Sequence, residues 1–357
     1  MSVFDHPEFD HHEAVHFFED ADSGLSCIIA LHSTALGPAA GGCRHWQYAN
    51  STEALTDVLR LSRGMTYKNA VAGLPFGGGK AVILAKENAP KSRQLMHAFG
   101  RAVHSLEGRY ITAEDVGIDV VDMQAVREIT PHVTGVSKQS RIVGGDPSPW
   151  TARGVFNGIV ASAEHSFGSG VLKGLRVAVQ GVGHVGYQVC KLLHEAGAEL
   201  IVADVNRETL RRVIEEFGAT QVGIESILSA DCDILSPCAL GNVINQQSIA
   251  KIRAKVVAGA ANNQLGRDED GALLREAGIL FAPDYVVNAG GIIAVAHEHL
   301  GDGTEKEVCD EIDQISARLA RIYSQSDETG LSTNTVADRL AESIVRNATK
   351  PDSRLIA

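Results

Sequence analysis

The sequence predicts an α/β protein with two domains. Its 357 residues exceed what a single hydrophobic core usually serves. In the second half, strand-like and helix-like segments alternate, which predicts a parallel sheet covered by helices on both faces. A glycine-rich turn joins one of these strands to the next helix. We therefore expect an N-terminal α/β domain with a mixed sheet, a doubly wound second domain, and a cleft between them.

The N-terminal half contains one long helical pattern and several strand patterns. Apolar side chains recur at helical spacing over residues 52–68. Strands are predicted at residues 27–32, 81–84 and 109–112. Lys68, Lys80 and Asp115 would then all lie at the ends of elements, where functional side chains are commonly placed.

A cluster of glycine and proline at residues 144–149 marks the predicted domain boundary. We assign residues 1–146, together with about 328–357, to the first domain. Residues 147–327 would form the second domain, and a connecting helix is predicted over residues 151–167.

The second domain contains a β-α-β unit with the motif G-x-G-x-x-G in its turn. Gly181 would form the tight turn, Gly183 would let the backbone approach a pyrophosphate, and Gly186 would allow close packing of helix on strand. The helix begins at His184 and Val185, where backbone N–H groups favour an anion. Flanking strands are predicted at residues 175–180 and 200–204, with others at 233–235, 256–259 and 279–281. The pattern predicts a dinucleotide-binding Rossmann domain; the alternative is a glycine-rich turn that binds nothing.

Asp204 closes the second strand of this unit. A carboxylate at this place would accept hydrogen bonds from ribose hydroxyls and repel a 2′-phosphate. This favours NAD over NADP, unless Asp204 is an ordinary residue at a strand end.

Lys80 follows three glycines and the apolar residues 70–76. Lost hydration would disfavour its ammonium form, so that it could take up and release protons, with Asp115 as its partner. Beside a nicotinamide site, such a lysine indicates oxidation of an amine or alcohol by hydride transfer. Ala81 offers no hydroxyl to a magnesium ion, which excludes a triphosphate-binding loop. A solvated lysine in a surface turn is the alternative.

Composition narrows the class of protein further. The 32 basic and 44 acidic side chains give a net charge of −12, which argues against nucleic acid or a membrane surface as the main partner. The N-terminus lacks a signal-peptide pattern, which predicts a cytoplasmic protein. The six scattered cysteines form no C-x-x-C pair and are expected to be reduced thiols. No metal site is expected, since His297 and His299 would point to different faces of a helix.

Six short motifs occur in order along nearly the whole chain. They are LGPAAGGCR (36–44), LSRGMTYK (61–68), GGGK (77–80), TAEDVG (112–117), GAANNQL (259–265) and APDYVVNAGG (282–291). Together they resemble the amino acid dehydrogenase superfamily of glutamate, leucine, phenylalanine and valine dehydrogenases, and most closely its leucine dehydrogenase branch.

The resemblance implies a role for each matching residue. Lys68 would hold the substrate carboxylate, Lys80 would activate water, and Asp115 would pair with the substrate amine and carry its proton. Other residues implied at the substrate are Ala40, Gly41, Gly42, Ala113, Asn262, Ile292 and Val295. Those implied at the cofactor, besides the glycine turn and Asp204, are Ala260, Asn262 and Asn288.

The implied reaction is reversible, NAD-dependent oxidative deamination of an L-amino acid. A hydride would leave Cα, water would add to the resulting imine, and the adduct would collapse to a 2-oxo acid and ammonium. A small-molecule substrate and a homo-oligomer of unspecified size are also implied.

The expected substrate has an apolar side chain. Glutamate-specific members carry lysine at the position of Ala40 and tend to have serine at that of Val295, so glutamate is disfavoured here. Leucine dehydrogenases more often have leucine at the position of Ala40. Alanine leaves room for phenylalanine or tryptophan, of which Ile292 would occupy part. We favour leucine and other branched-chain amino acids, with aromatic amino acids as the alternative.

Two other classes of protein remain as rivals. A hydroxy-acid oxidoreductase would normally use a histidine–carboxylate pair and would release no ammonia. A non-enzymatic NAD-binding sensor would keep the glycine turn and would not need Lys80.

Overall fold

The computed structural model describes residues 2–86, 91–136, 146–301 and 303–348. The chain divides into two compact units: Met1–Gly145 with Val295–Thr304 and Ala341–Ala357, and Asp146–Ala294 with Glu305–Leu340. The division drawn from the sequence differs in the C-terminal third, where it places all of residues 328–357 with the first unit. Gly144 and Gly145 of the expected boundary lie outside the described residues. The assignment of functions to the two units stays a prediction.

The first unit is built on a five-stranded mixed sheet. Its strands are β1 (Ala14–Asp20), β2 (Leu25–Ser33), β3 (Ala39–Trp46), β4 (Gly77–Leu84) and β5 (Tyr110–Ala113), and its helices are α1 (Ser51–Ala72), α2 (Arg93–His104) and α3 (Val120–Arg127). The strand order is β1-β2-β4-β3-β5, with β3 parallel to both β4 and β5 and the other pairs antiparallel.

Helices cover both faces of this sheet. Val58 and Leu59 of α1 pack with Val82 of β4 on one face. Phe99 of α2 and Met123 of α3 belong to the larger core on the other face. Because side chains alternate along a strand, the even-numbered residues of β4 face α1.

The structure corrects two expectations about this unit. Gly77–Gly79 belong to β4, so Lys80 lies inside a strand and not at its end. Helix α1 continues to Ala72 and ends at Gly73, whose φ of 75° suits a residue without a Cβ. Lys68 therefore lies about one turn before the helix end.

The second unit contains a six-stranded sheet in which every pair is parallel. Its strands are β6 (Arg176–Gln180), β7 (Glu199–Ala203), β8 (Thr220–Gln221), β9 (Ile234–Pro237), β10 (Val256–Val257) and β11 (Leu280–Phe281). The strand order is β11-β10-β9-β6-β7-β8. From β6 the chain first adds strands on one side of the sheet and then, from β9, on the other side, as in a doubly wound dinucleotide-binding fold. The doubly wound sheet expected from the sequence is thus confirmed.

Nine further helices complete the described chain. They are α4 (Ser148–Phe167), α5 (His184–Glu195), α6 (Arg207–Phe217), α7 (Gln246–Ile249), α8 (Asp270–Glu276), α9 (Asp284–Val287), α10 (Gly290–Leu300), α11 (Glu305–Thr329) and α12 (Thr333–Asn347). Within the described ranges, none of the helices combines the length and apolar character needed to cross a membrane. All six cysteines are free thiols. The described residues hold no cluster of three potential metal-ligating side chains.

Candidate active site

Lys80 is a buried cation on the α1 face of the first sheet. Its residue is 6% exposed. Two residues earlier, a Cβ added to Gly78 would lie 2.0 Å from the backbone nitrogen of Thr66, so the helix rests directly on the strand at this point. The glycines before Lys80 therefore allow a close approach of backbone to backbone, and the surface turn considered as an alternative is wrong.

Lys68 lies on α1 close to the contact between Thr66 and Gly78. It is half-buried and lies two residues beyond Thr66. The adjacent Asn69 is buried and donates a hydrogen bond from Nδ2 to the Gly77 carbonyl, at 2.6 Å. The start of β4 and the last turns of α1 are thus fixed to each other, which fixes where the Lys68 side chain begins.

Asp115 follows β5 and meets Lys80 directly. Lys80 Nζ lies 2.5 Å from Asp115 Oδ2. Gly42 of β3 makes this approach possible, because an added Cβ there would lie 2.9 Å from Asp115 Cβ and 2.4 Å from the Glu114 carbonyl oxygen. The two residues that the sequence pairs as proton partners are therefore in contact.

The charges around Asp115 keep its carboxyl ionised. Burial raises the pKa of Asp115, but the positive charges of Lys80 and Arg44 more than offset this, and the pKa falls to about 2. At neutral pH Asp115 is therefore a carboxylate.

Arg44 is a residue of the site to which the sequence analysis gave no role. Its Nε lies 3.4 Å from Asp115 Oδ2. On its other side, Arg44 Nη1 donates to Asp57 Oδ2 at 2.9 Å. The motif that contains Arg44 was recognised, but its partners lie on α1 and beyond β5, and no sequence pattern joins them.

Five of the other residues expected at the substrate lie in the first unit. Ala40, Gly41 and Gly42 lie on β3, and Gly42 is in register with Ala113 of β5. An added Cβ at Gly41 would lie 1.9 Å from the Gly79 carbonyl oxygen and 3.1 Å from Met65 Cγ. Val295 also belongs to the first unit, where its carbonyl accepts a hydrogen bond from Thr134 Oγ1 at 3.3 Å.

In the second unit, the three glycines of the turn after β6 differ in their surroundings. Gly181 has a φ of +90°, and an added Cβ would lie 2.6 Å from Ala239 Cβ. An added Cβ at Gly186 would lie 2.0 Å from the Gly181 carbonyl oxygen. Gly183 is exposed, and an added Cβ would meet no protein atom within 4 Å. Two of these glycines therefore serve packing, whereas Gly183 leaves open space in front of the helix.

The open space lies at the start of α5, which begins at His184. His184 is exposed and Val185 is half-buried. The first N–H groups of a helix are free to bind an anion, and the helix dipole favours negative charge there. The arrangement fits the pyrophosphate of a dinucleotide.

Asp204 stands directly after β7 and holds the glycine turn in place. Its Oδ2 accepts a hydrogen bond from Val182 N at 2.6 Å, and its Oδ1 accepts one from Asn206 N at 2.7 Å. The residue is half-buried and lies at the carboxyl end of the sheet, where ribose hydroxyls would bind.

Asn288 joins the remaining residues expected at the cofactor. Its Nδ2 donates to Asn262 Oδ1 at 2.8 Å and to the Ala260 carbonyl at 3.1 Å. Its Oδ1 is buried and has no hydrogen-bond partner among the described residues. A buried acceptor left without a donor is costly unless a ligand supplies one. The carboxamide of a nicotinamide has such a donor, and these residues fit that group.

Ile292 lies in the first turn of α10, in the second unit. The helix start is close-packed, since an added Cβ at Gly290 would lie 2.0 Å from the Trp150 carbonyl oxygen. Ala239 and Cys238, which follow β9 and adjoin the glycine turn, were not identified from the sequence. Their position after a strand next to the switch point is the signal that could have found them.

Comparisons with known proteins show which family the chain resembles in sequence. Residues 12–132 match the family model "Glu/Leu/Phe/Val dehydrogenase, dimerisation domain", and residues 200–350 match "Glutamate/Leucine/Phenylalanine/Valine dehydrogenase". The chain is 48% identical to leucine dehydrogenase from Geobacillus stearothermophilus, over 99% of this chain and 96% of that protein. It is 45% identical to L-tryptophan dehydrogenase from Nostoc punctiforme, over 97% of each chain.

A solved structure is similar over almost the whole fold. The crystal structure of L-tryptophan dehydrogenase from Nostoc punctiforme superposes with a TM-score of 0.82 at 43% identity, over 94% of this chain and 96% of that chain. The matches in sequence and in fold both extend through the two units, and the chain belongs to the Glu/Leu/Phe/Val dehydrogenase family of amino acid dehydrogenases.

Proposed function

We propose that this amino acid dehydrogenase uses NAD and oxidatively deaminates leucine and other branched-chain L-amino acids to 2-oxo acids and ammonium, reversibly. Family membership makes the chain an oxidoreductase with a nicotinamide cofactor and a small-molecule substrate. The choice of NAD, the choice of substrate and the role of each residue are the proposal.

The contact between Lys80 and Asp115 is the observation that carries it. A buried lysine at 2.5 Å from a carboxylate, beside a glycine-lined strand, gives one site a proton donor and a proton acceptor. A non-enzymatic sensor would have no need for such a pair.

The residues of the first unit would divide the work between them. Lys68 would bind the substrate carboxylate, and the Asp115 carboxylate would accept a proton from the substrate ammonium. Lys80, after its ammonium has released a proton to solvent, would take up a proton from the water that adds to the imine carbon. Bound NAD⁺ would supply the hydride acceptor. The close backbone packing at Gly41 and Gly42 would exclude water around the reacting carbon.

The preference for NAD rests on Asp204. Its carboxylate is held by two backbone N–H groups. A 2′-phosphate placed near it would bring like charges together in a half-buried setting, which costs free energy.

The exclusion of glutamate rests on Ala40, and the preference for branched-chain substrates rests on the 48% identity to a leucine dehydrogenase. Ala40 is buried, and it has no charge at the position where glutamate-specific members carry lysine. Sequence identity alone discriminates poorly between leucine and tryptophan as substrates, because the chain is also 45% identical to an L-tryptophan dehydrogenase. The small Ala40 side chain favours the aromatic alternative, which the experiment must therefore include.

The test is a panel of L-amino acids with NAD⁺ and with NADP⁺, in which NADH or NADPH absorbance and released ammonium are both measured. We expect turnover of leucine, isoleucine and valine with NAD⁺. Turnover confined to phenylalanine or tryptophan would support the aromatic alternative. Reduction of NAD⁺ by 2-hydroxy acids, and by no L-amino acid, would support a hydroxy-acid enzyme.

The variant Ala40→Leu sharpens the test of the pocket. It should lower kcat/KM for any aromatic substrate much more than for valine, since it fills the space that a ring would need. Equal losses for both substrates would mean that Ala40 does not line the side-chain pocket.

We also propose that the chain forms a homo-oligomer and works in the cytoplasm. The match to a dimerisation-domain model supports the first point. Light scattering of the purified protein gives the number of subunits, and a monomer would refute it.

A further inference from the structure

Three side chains beside Asp115 form a chain of hydrogen bonds. Arg44 lies on β3, Asp57 lies in the second turn of α1, and Tyr48 lies in the connection between them. Tyr48 OH donates to Asp57 Oδ2 at 2.6 Å. Arg44 Nη1 donates to the same oxygen at 2.9 Å and to Oδ1 at 3.3 Å. The guanidinium is therefore held on one side by a carboxylate that is itself hydrogen-bonded.

The other side of the guanidinium faces the candidate catalytic carboxylate. Arg44 Nε and Asp115 Oδ2 form an ion pair at 3.4 Å, and both atoms are buried. Neither atom makes a hydrogen bond of good geometry within the described residues. Lys80 Nζ contacts the same carboxylate oxygen. Two cations thus share one anion.

The two cations differ in whether they can lose their charge. A lysine ammonium releases its proton readily in a suitable setting, whereas an arginine guanidinium stays charged at every pH at which proteins fold. When Lys80 gives up a proton, Asp115 would lose its nearest counter-ion inside a poorly solvated site. A carboxylate buried without a counter-ion takes up a proton instead. Asp115 would then no longer accept a proton from the substrate.

We propose that Arg44, anchored by Asp57 and Tyr48, is a positioning residue that holds the Asp115 carboxylate in place and keeps it ionised while Lys80 changes its protonation. This rests on the proposed function in giving Lys80 and Asp115 the proton transfers. Arg44 acts through Asp115 and needs no contact with the substrate.

The effect of Arg44 must be judged against every titratable group near Asp115. Lys80 on β4 lowers the pKa of Asp115, as Arg44 does. Cys43 on β3 and Tyr110 on β5 are buried, and burial raises the pKa of each, so both are neutral at pH 7. Burial likewise raises the pKa of Tyr48. The charged groups in question are Lys80, Arg44 and Asp57, with Lys68 on the same helix as Asp57.

The experiment compares Arg44→Met and Arg44→Lys with the wild-type enzyme. The pH dependence of kcat/KM is measured with leucine and NAD⁺. The titration of the Asp115 carboxyl is measured separately by infrared difference spectroscopy, in which the Asp115→Asn variant identifies its band. Arg93→Met is the matched control, because Arg93 forms an exposed pair with Glu128.

In Arg44→Met we expect the Asp115 titration and the acid limb of kcat/KM to move up by about one pH unit. We also expect kcat to fall about tenfold or more at neutral pH, with a smaller change in KM. Arg44→Lys should keep most of the titration while losing part of kcat, because the charge remains and the fork to Asp57 is lost. Added guanidinium ion should restore part of the activity of Arg44→Met. Arg93→Met should match wild type.

An unchanged titration and acid limb in Arg44→Met, with only a lower melting temperature, would overturn the proposal. Should Arg44→Met fail to fold, Asp57→Asn and Tyr48→Phe decide the question, since both leave the guanidinium present and loosen its anchor; unaltered kcat in both would overturn the role of the anchor. If the wild-type protein reduces no NAD⁺ with any amino acid, the proposed function fails, while the infrared titration still reports whether Arg44 controls Asp115.

Discussion

The two candidate ligand sites differ in whether their central groups form ion pairs with one another. In the first unit, Lys80, Asp115 and Arg44 are already paired with one another and largely buried. In the second unit, Gly183 faces open space and Asn288 Oδ1 is buried without a partner. The first site is organised before any ligand arrives, whereas the second has polar groups that a ligand would complete. Substitutions in the first site should therefore affect chemistry and stability together, and those in the second should affect mainly cofactor binding.

The largest expected effect is that of Lys80→Ala. It removes the group proposed to activate water, so kcat/KM should fall about 10³-fold. The affinity for NAD, measured by calorimetry, should stay within about threefold of wild type, since the residues proposed to bind NAD belong to the second unit and do not include Lys80. Lys86→Ala, at an exposed lysine just beyond β4, is the control. An equal loss of NAD affinity in Lys80→Ala would contradict the separation of the two sites.

Acid should destabilise the first unit through buried histidine. Burial lowers the pKa of His12 from 6.5 to about 4, and its Nε2 lies within 3.0 Å of Ser62 Oγ and 3.1 Å of the Leu59 carbonyl. The unfolded chain binds a proton below pH 6.5 and the folded chain does not until about pH 4. The free energy of unfolding should therefore fall as the pH drops through this window, by up to about 3 kcal/mol from His12 alone.

Denaturant unfolding measured at several pH values between 7 and 4 tests this expectation. The variant His12→Gln should show a flatter dependence on pH than wild type over that window. A slope that is identical in the two proteins would mean that His12 is not the titrating group.

The preference for NAD should weaken in Asp204→Asn. The side-chain oxygen can still accept the hydrogen bond from Val182 N, but the negative charge is gone. We expect the ratio of kcat/KM with NADP⁺ to that with NAD⁺ to rise about tenfold. Asp310→Asn, at an exposed aspartate, should leave the ratio unchanged. No rise in the Asp204 variant would remove the basis for the NAD assignment.

Alanine substitutions at Gly183 and Gly186, two glycines of one turn, should differ in their effect on stability, and the effect at Gly183 should be the smallest expected here. Gly183→Ala meets no protein atom, so its melting temperature should stay near that of wild type while its dissociation constant for NAD rises about tenfold. Gly186→Ala would press its Cβ against the Gly181 carbonyl and should cost about 2 kcal/mol or more of stability. If both variants lost stability equally, the open space at Gly183 would not be a ligand site.

The sequence predicted the second unit more fully than the first because its signals are local. Strand, turn and helix around Gly181 follow one another within 22 residues (175–196), and each segment carries its own pattern. In the first unit, Gly77–Gly79 favour a turn by local preference, yet they form a strand because they pair with β2 and β3. Tertiary contact overrode local propensity.

The same reason explains which site residues were missed. Arg44 acts on Asp115, which lies 71 positions further along the chain, and on Asp57, which lies on another element. Contacts between residues so far apart in the chain, or on different elements, produce no regular spacing in the sequence from which they could be predicted. Strands β1 and β3 were also missed, β3 because it carries the glycine-rich segment at Gly41 and Gly42, which lowers strand propensity.

The contact between Gly78 and Thr66 sets a distance for the chemistry. Because Gly78 brings no side chain to this contact, the backbone of the helix approaches the strand closely there. Lys68 and Lys80 both branch off two residues past that crossing, so side-chain repacking elsewhere cannot readily spread or compress the gap between their Cα atoms. A change of substrate in this fold would then come from residues that contact the substrate side chain. The spacing of Lys68 and Lys80, which would act at the α-carboxylate and the α-carbon common to all amino acids, would stay the same.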